Sequence, residues 1–95
     1  MMNEEQFRQL AQERGYGDFQ TKDHVPSNDS PLHTHDFSVM LLVVEGHFIL
    51  AFEDDRSDYR VGDVCELDAN VMHTESTGPT GARVLSAKRV LCAPT

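Results

Sequence analysis

The stretch Pro31-Leu32-His33-Thr34-His35-Asp36-Phe37-Ser38-Val39-Met40-Leu41-Leu42-Val43-Val44 sets two alternating histidines in front of the longest apolar run of the chain. Successive side chains of a strand point to opposite faces, so His33 and His35 share a face with Cα atoms about 6.6 Å apart. Metal–nitrogen bonds of about 2.1 Å allow two rings at that spacing to converge on one cation. Phe37, Val39, Leu41 and Val43 continue the histidine face, and Met40, Leu42 and Val44 lie opposite. A strand apolar on both sides needs cover on its outer face as well. We expect a second copy of the chain, a homodimer, to supply it, with an amino-terminal helix as a further cover.

Working outward, Glu45-Gly46 ends the run, and His47 to Glu53 with Asp58 to Val61 reads as a hairpin around Asp54-Asp55-Arg56-Ser57. Gly62-Asp63 is a turn, Val64 to Leu67 a short strand, and Asp68-Ala69-Asn70 a turn delivering Val71, Met72 and His73. Gly78-Pro79-Thr80-Gly81 reads as the last tight connection before a final strand from Ala82 to Val90. On the amino-terminal side, Val25 to Pro31 is a loop. Residues 4–14 form an amphipathic helix with Phe7, Leu10, Ala11 and Arg14 on one stripe, Asn3 and Gln6 at its cap, acids Glu4 and Glu5 in its first turn, and Gly15 and Gly17 to end it. Many short strands with closely spaced turns favour an all-β closed barrel or sandwich. The expectation is one domain over 1–95, with the helix at about 4–14 and the barrel at about 20–92.

The 95 residues carry 16 acidic and 8 basic side chains, a net charge of −8. That charge opposes nucleic-acid phosphates and anionic lipid surfaces, and neither partner is expected. No charged-then-apolar leader opens the sequence and no run of 18 apolar residues occurs, so a cytoplasmic protein is expected. Cys65 and Cys92 are then two reduced thiols, each read as a small buried hydrophobe.

The candidate chemistry is a metal site formed by His33, His35 and His73. Neutral imidazoles suit zinc, iron, nickel or copper, one divalent transition metal whose identity the residues leave open. His47 alternates with Ile49 and Ala51 against the more apolar Phe48, Leu50 and Phe52, which places it outside or at an interface, and His24 reads as a surface residue. Met40 and Met72 are packing residues, with Met72 at the pocket edge. Phe37, Phe48, Leu50 and Phe52 build core, one or two of them lining a small apolar cavity for a small-molecule ligand. Ser38 faces away, Cys65 has no activating partner, and no general base is expected in the interior, which leaves the metal as the one catalyst.

These residues resemble the small single-domain cupins, of the cupin-2 conserved barrel and RmlC-like type. The first cupin motif has a His-x-His pair, a glutamate three or four residues later, and a glycine after six more. His33-Thr34-His35 supplies the pair, Val39 stands at the glutamate position, and Gly46 follows at the expected spacing. The second motif is matched in spacing by Gly62, Asp68-Ala69-Asn70, His73 and Thr77, although its proline, second glycine and asparagine are replaced. The resemblance spans roughly His33 to Thr77, about half the chain. It implies a cupin-type double-stranded β-helix, the jelly-roll barrel, with one short amino-terminal helix.

In metal-binding cupins the motif glutamate usually joins the three histidines, and Val39 cannot ligate. The resemblance therefore implies a three-histidine site without that carboxylate, and Asp36, on the opposite face from His35, is a poor replacement. Two functional classes follow: a metal-dependent oxygenase or isomerase of a small polar molecule, or a non-catalytic binding or sensing module.

Overall fold

A computed structural model describes residues 1–26 and 30–90. The element order is α1 (Glu4–Glu13), β1 (Gly17–His24), β2 (Phe37–Ala51), β3 (Arg56–Arg60), β4 (Val64–Leu67) and β5 (Thr74–Val90). Every strand pairing is antiparallel, in the order β1-β5-β2-β3, with β4 also on β2. The fold is all-β with one short helix, a jelly roll organised on β2. One edge of β2 carries β4 along Val39–Leu42 and β3 along His47–Ala51, while β5 runs along nearly all of its other edge.

The helix begins where its capping box lies. Gln6 N donates to Asn3 Oδ1 at 2.8 Å and Asn3 N donates to Gln6 Oε1 at 3.1 Å, which satisfies two amide groups that the first turn leaves without helical partners. Gly15, at φ +82°, ends it, whereas Gly17 opens β1 instead of helping to stop the helix. Phe7 and Ala11 are fully buried and pack with Tyr16 on Met40, Leu42, Leu85 and Ala87. The amino-terminal helix thus covers Met40 and Leu42, the role that the sequence reading gave it beside a second copy. Arg14 and Tyr16 both bond the Glu66 carboxylate on β4, and the Arg89 guanidinium lies 4.7 Å from the Tyr16 ring, so polar contacts fix the helix end as well.

Three expectations need correction. The apolar run and the following hairpin arm are one strand, because β2 passes through Glu45-Gly46 with shifts of register on either side. Gly78-Pro79-Thr80-Gly81 is not a reversal. Phe48 pairs with Thr77 and Gly46 with Ala82, so these four residues form a wide bulge inside a continuous β5. Gly46 and Gly81 both have positive φ; a Cβ on Gly46 would clash with the Gly81 carbonyl oxygen and one on Gly81 with the His24 carbonyl oxygen, so close backbone approaches explain both glycines. Third, β1 pairs with β5 in a region for which no strand was foreseen. The loop expected over 25–31 and the expectation for Cys92 fall partly or wholly outside the described residues. No helix among the described residues is long and apolar enough to cross a membrane.

Candidate metal centre

His33 and His73 are brought together by a single antiparallel bridge rather than by a regular strand pair. His33 N donates to His73 O at 2.9 Å and His73 N donates to His33 O at 3.0 Å. One step further along, Ser30 N donates to Glu75 O and Glu75 N donates to Ser30 Oγ, each at 2.8 Å. This backbone stitching holds the segment carrying His33 and His35 against the start of β5, which carries His73 and Glu75.

The three rings converge as the sequence reading expected, with centroids 4.4 to 5.2 Å apart. Glu75 joins them: its Oε2 lies 2.9 Å from His33 Nε2, 3.1 Å from His73 Nε2 and 3.5 Å from His35 Nε2. One ligand atom from each of the four residues falls within 4.8 Å of the others. The expectation of a site without a carboxylate is corrected by this residue. Its signal was present in His73-Thr74-Glu75, the same two-residue spacing that singled out His33 and His35.

The tautomers define what the cluster offers. His33 Nδ1 is 2.7 Å from Pro31 O and His73 Nδ1 is 2.8 Å from Val71 O. A carbonyl oxygen only accepts, so both Nδ1 atoms carry protons and the neutral rings point Nε2 lone pairs inward. Those lone pairs meet a carboxylate oxygen, another acceptor, and the arrangement needs a positive charge among them, either protons or a cation. Backbone carbonyls that hold ring orientation from behind are the usual support of histidine metal ligands. The donor set therefore fits a divalent ion, with His33, His35, His73 and Glu75 as the residues to hold it.

The electrostatics agree. The Pro31 carbonyl, with a smaller contribution from Glu75, moves His33 above the ordinary histidine value against the opposing effect of burial. Burial pushes the Glu75 carboxyl up, but hydrogen bonds to His73, His33 and His35 outweigh it and leave Glu75 below its ordinary value. His73 is fully buried, whereas His33, His35 and Glu75 keep roughly a quarter to a third of their side-chain surface open and leave a way in.

A cavity of about 110 Å³ adjoins the cluster, lined by His35, His73 and Glu75 and by a mainly apolar wall that includes Phe37, Val39, Leu41, Phe48 and Leu50. Val39 faces this cavity, as its parity requires, and Cys65 is a buried neighbour whose thiol burial pushes up to about 11. His24, read from sequence as a surface residue, lines the cavity with its ring 5.5 Å from Phe48. Met72 does not line it and is half-exposed. His47 stays apart from the cluster, its Nε2 3.9 Å from Asp58 Oδ2, and Ser38 faces away, accepting a hydrogen bond from Ala69 N.

Neither the protein-family models nor the curated proteins compared with the chain match its sequence. Solved structures do match in shape. A cupin superfamily protein from Desulfitobacterium hafniense aligns with a TM-score of 0.67 at 15% identity over 76% of this chain, which spans 65% of that protein's length. A cupin-2 domain containing protein from Shewanella frigidimarina aligns at 0.62 with 21% identity, covering 74% of this chain and 69% of the other. A protein described as a predicted oxalate decarboxylase from Thermotoga maritima aligns at 0.67 with 20% identity, covering 87% and 74%. The sheet order, the short helix and these likenesses together establish that the chain has the fold of a small cupin.

Proposed function

We propose that this chain is a metal-binding small cupin that holds one divalent transition metal, zinc, iron, nickel or copper, through His33, His35, His73 and Glu75. The observation that carries the reading is the convergence of two Nδ1-protonated histidines, a third histidine and a carboxylate on one point, which unprotonated rings can share only with a cation. Glu75 takes the chemical role that Val39 cannot, from two residues beyond the third histidine instead of from β2. When bound, the ion supplies a Lewis acid at the inner end of a small apolar cavity. His33 and His73 are kept in register by their carbonyl partners, and the apolar wall excludes water from a small molecule lodged against the site.

Elemental analysis of tag-free protein purified without chelator tests the metal. Near-stoichiometric metal in the wild type, lost in His73→Ala and reduced in Glu75→Gln, is the expected result. Equal metal content in all three would dismiss the site. Oxygen uptake by the iron-loaded protein with small polar substrates separates an oxygenase from a binding or sensing module, and no turnover with retained ligand binding would favour the module.

A further inference from the structure

Two further polar side chains line the cavity. Lys22 and His24 lie two residues apart on β1 and both line it. The register explains why: Lys22 pairs with Val84 and His24 with Ala82, and Val84 belongs to the same cavity wall, so side chains directly across the ladder share its face. The intervening Asp23 points the other way and is engaged by Arg83 at 2.6 Å. Of the described residues that line the cavity, Lys22 is the one lysine or arginine; it is exposed at the cavity's edge, and its side chain makes no ion pair or hydrogen bond with another described residue. His24 touches Phe48 by its ring and leaves its nitrogens without a described hydrogen-bond partner. Phe37, Val39, Leu41 and Phe48 line the same cavity.

The cavity thus joins two polar groupings, the histidine cluster and the Lys22 and His24 pair, to an apolar wall. With a divalent ion held by Glu75 and three neutral histidines, both groupings are electropositive, although the chain as a whole carries −8. Coulomb attraction in a cavity walled by low-dielectric side chains then favours an anion strongly over a neutral molecule of the same size. A phosphoryl group calls for several converging charge-assisted donors, and Lys22 and His24 offer one ammonium and one imidazole, a set matched to a single carboxylate.

We infer that the cavity binds a short-chain carboxylate whose carboxyl group pairs with Lys22 and His24 while an oxygen at its other end reaches the metal. The inference rests on the metal reading above and adds to it the ligand class and the residues that select it. Lys22 and His24 are binding residues for this ligand.

The test is titration of the zinc-loaded full chain, followed by NMR, with succinate, with 1,4-butanediol as the uncharged molecule of equal length, and with inorganic phosphate. The expected order is succinate tightest. Lys22→Met should weaken succinate about tenfold or more without change in zinc content, and Lys22→Arg should recover most of the loss. Succinate binding unaffected by Lys22→Met, or phosphate binding more tightly than succinate, would overturn the inference while leaving the metal site standing. A wild type that takes up no zinc would remove the metal reading and this inference with it, and zinc content measured alongside distinguishes that failure from the others.

Discussion

The two faces of β2 are both apolar and both covered, yet they do different things. On the outer face, Met40 and Leu42 meet Phe7, Ala11 and Tyr16 with almost no exposure, and close packing is the whole arrangement. On the inner face, Val39, Leu41, Phe48 and Leu50 border a cavity that ends in histidines and a carboxylate. Hydrophobicity alone cannot tell these faces apart in the sequence. The difference is what lies opposite each: a helix whose apolar stripe fills the space, or strands that curve round and leave some of it open. Stability should therefore depend mostly on the outer face, and ligand chemistry on the inner one.

The largest effect should come from breaking the outer face. Phe7→Ala removes a fully buried ring and is expected to cost about 3–5 kcal/mol in urea unfolding. Zinc stoichiometry in the remaining folded protein should be unchanged, and coupled loss of zinc would show that the two faces are not independent. Next in size is the inner-face counterpart. Zinc at about a hundred times its dissociation constant should raise stability by about 2.7 kcal/mol. That gain should vanish in His73→Ala, whose zinc affinity is expected to fall more than about a hundredfold, beyond the loss typical of removing a group that only hydrogen-bonds to a ligand from behind. Thermal melts with and without zinc read both.

Cys65 sharpens the comparison through pH. Its thiol is pushed from 9.0 up to about 11 by burial, so the folded chain retains a proton that the unfolded chain releases. The associated stability is complete below about pH 9 and is lost as pH rises through about 11, a change of about 2–3 kcal/mol. Tyr16, raised to about 12, adds a similar trend at still higher pH, so the difference between wild type and Cys65→Ala isolates the thiol. Urea midpoints at pH 8 and 10.5 that move in parallel for both proteins would refute this assignment. The smallest expected effect is a partial rescue: Val39→Glu in the Glu75→Gln background should recover some zinc binding, and elemental analysis would reveal whether the inner face can supply the carboxylate from either strand.

Much of the arrangement was legible in the residues. Asn3 and Gln6 marked the helix cap, β4 was delimited by Gly62-Asp63 and Asp68-Ala69-Asn70, and parity placed His35 and Val39 toward the cavity and His33 beside His35 in the cluster. What escaped has physical reasons. Residues Gly17–His24 form an edge strand with mostly exposed polar side chains, so little alternation marks it, and with it went the role of His24. Gly78-Pro79-Thr80-Gly81 carries turn chemistry, which a bulge and a chain reversal share locally; only the partner strand decides between them. Glu75 was missed because the search for a carboxylate followed the motif position on β2, although a carboxylate can be delivered to the same point from any strand that reaches it.

The bridge between His33 and His73 also bears on how the chain folds. His33 and Glu75 are 42 residues apart, and the intervening segment includes all of β2, β3 and β4. Closing so long a loop is slow relative to forming α1 or the β2–β3 hairpin. A chain part-way through folding thus has the His33 and His35 pair without its second half, and a complete coordination set exists only once β5 has docked. If the cluster binds zinc as proposed, its uptake during refolding would time the last long-range event in the assembly of this barrel and serve as a clock for the completion of the fold.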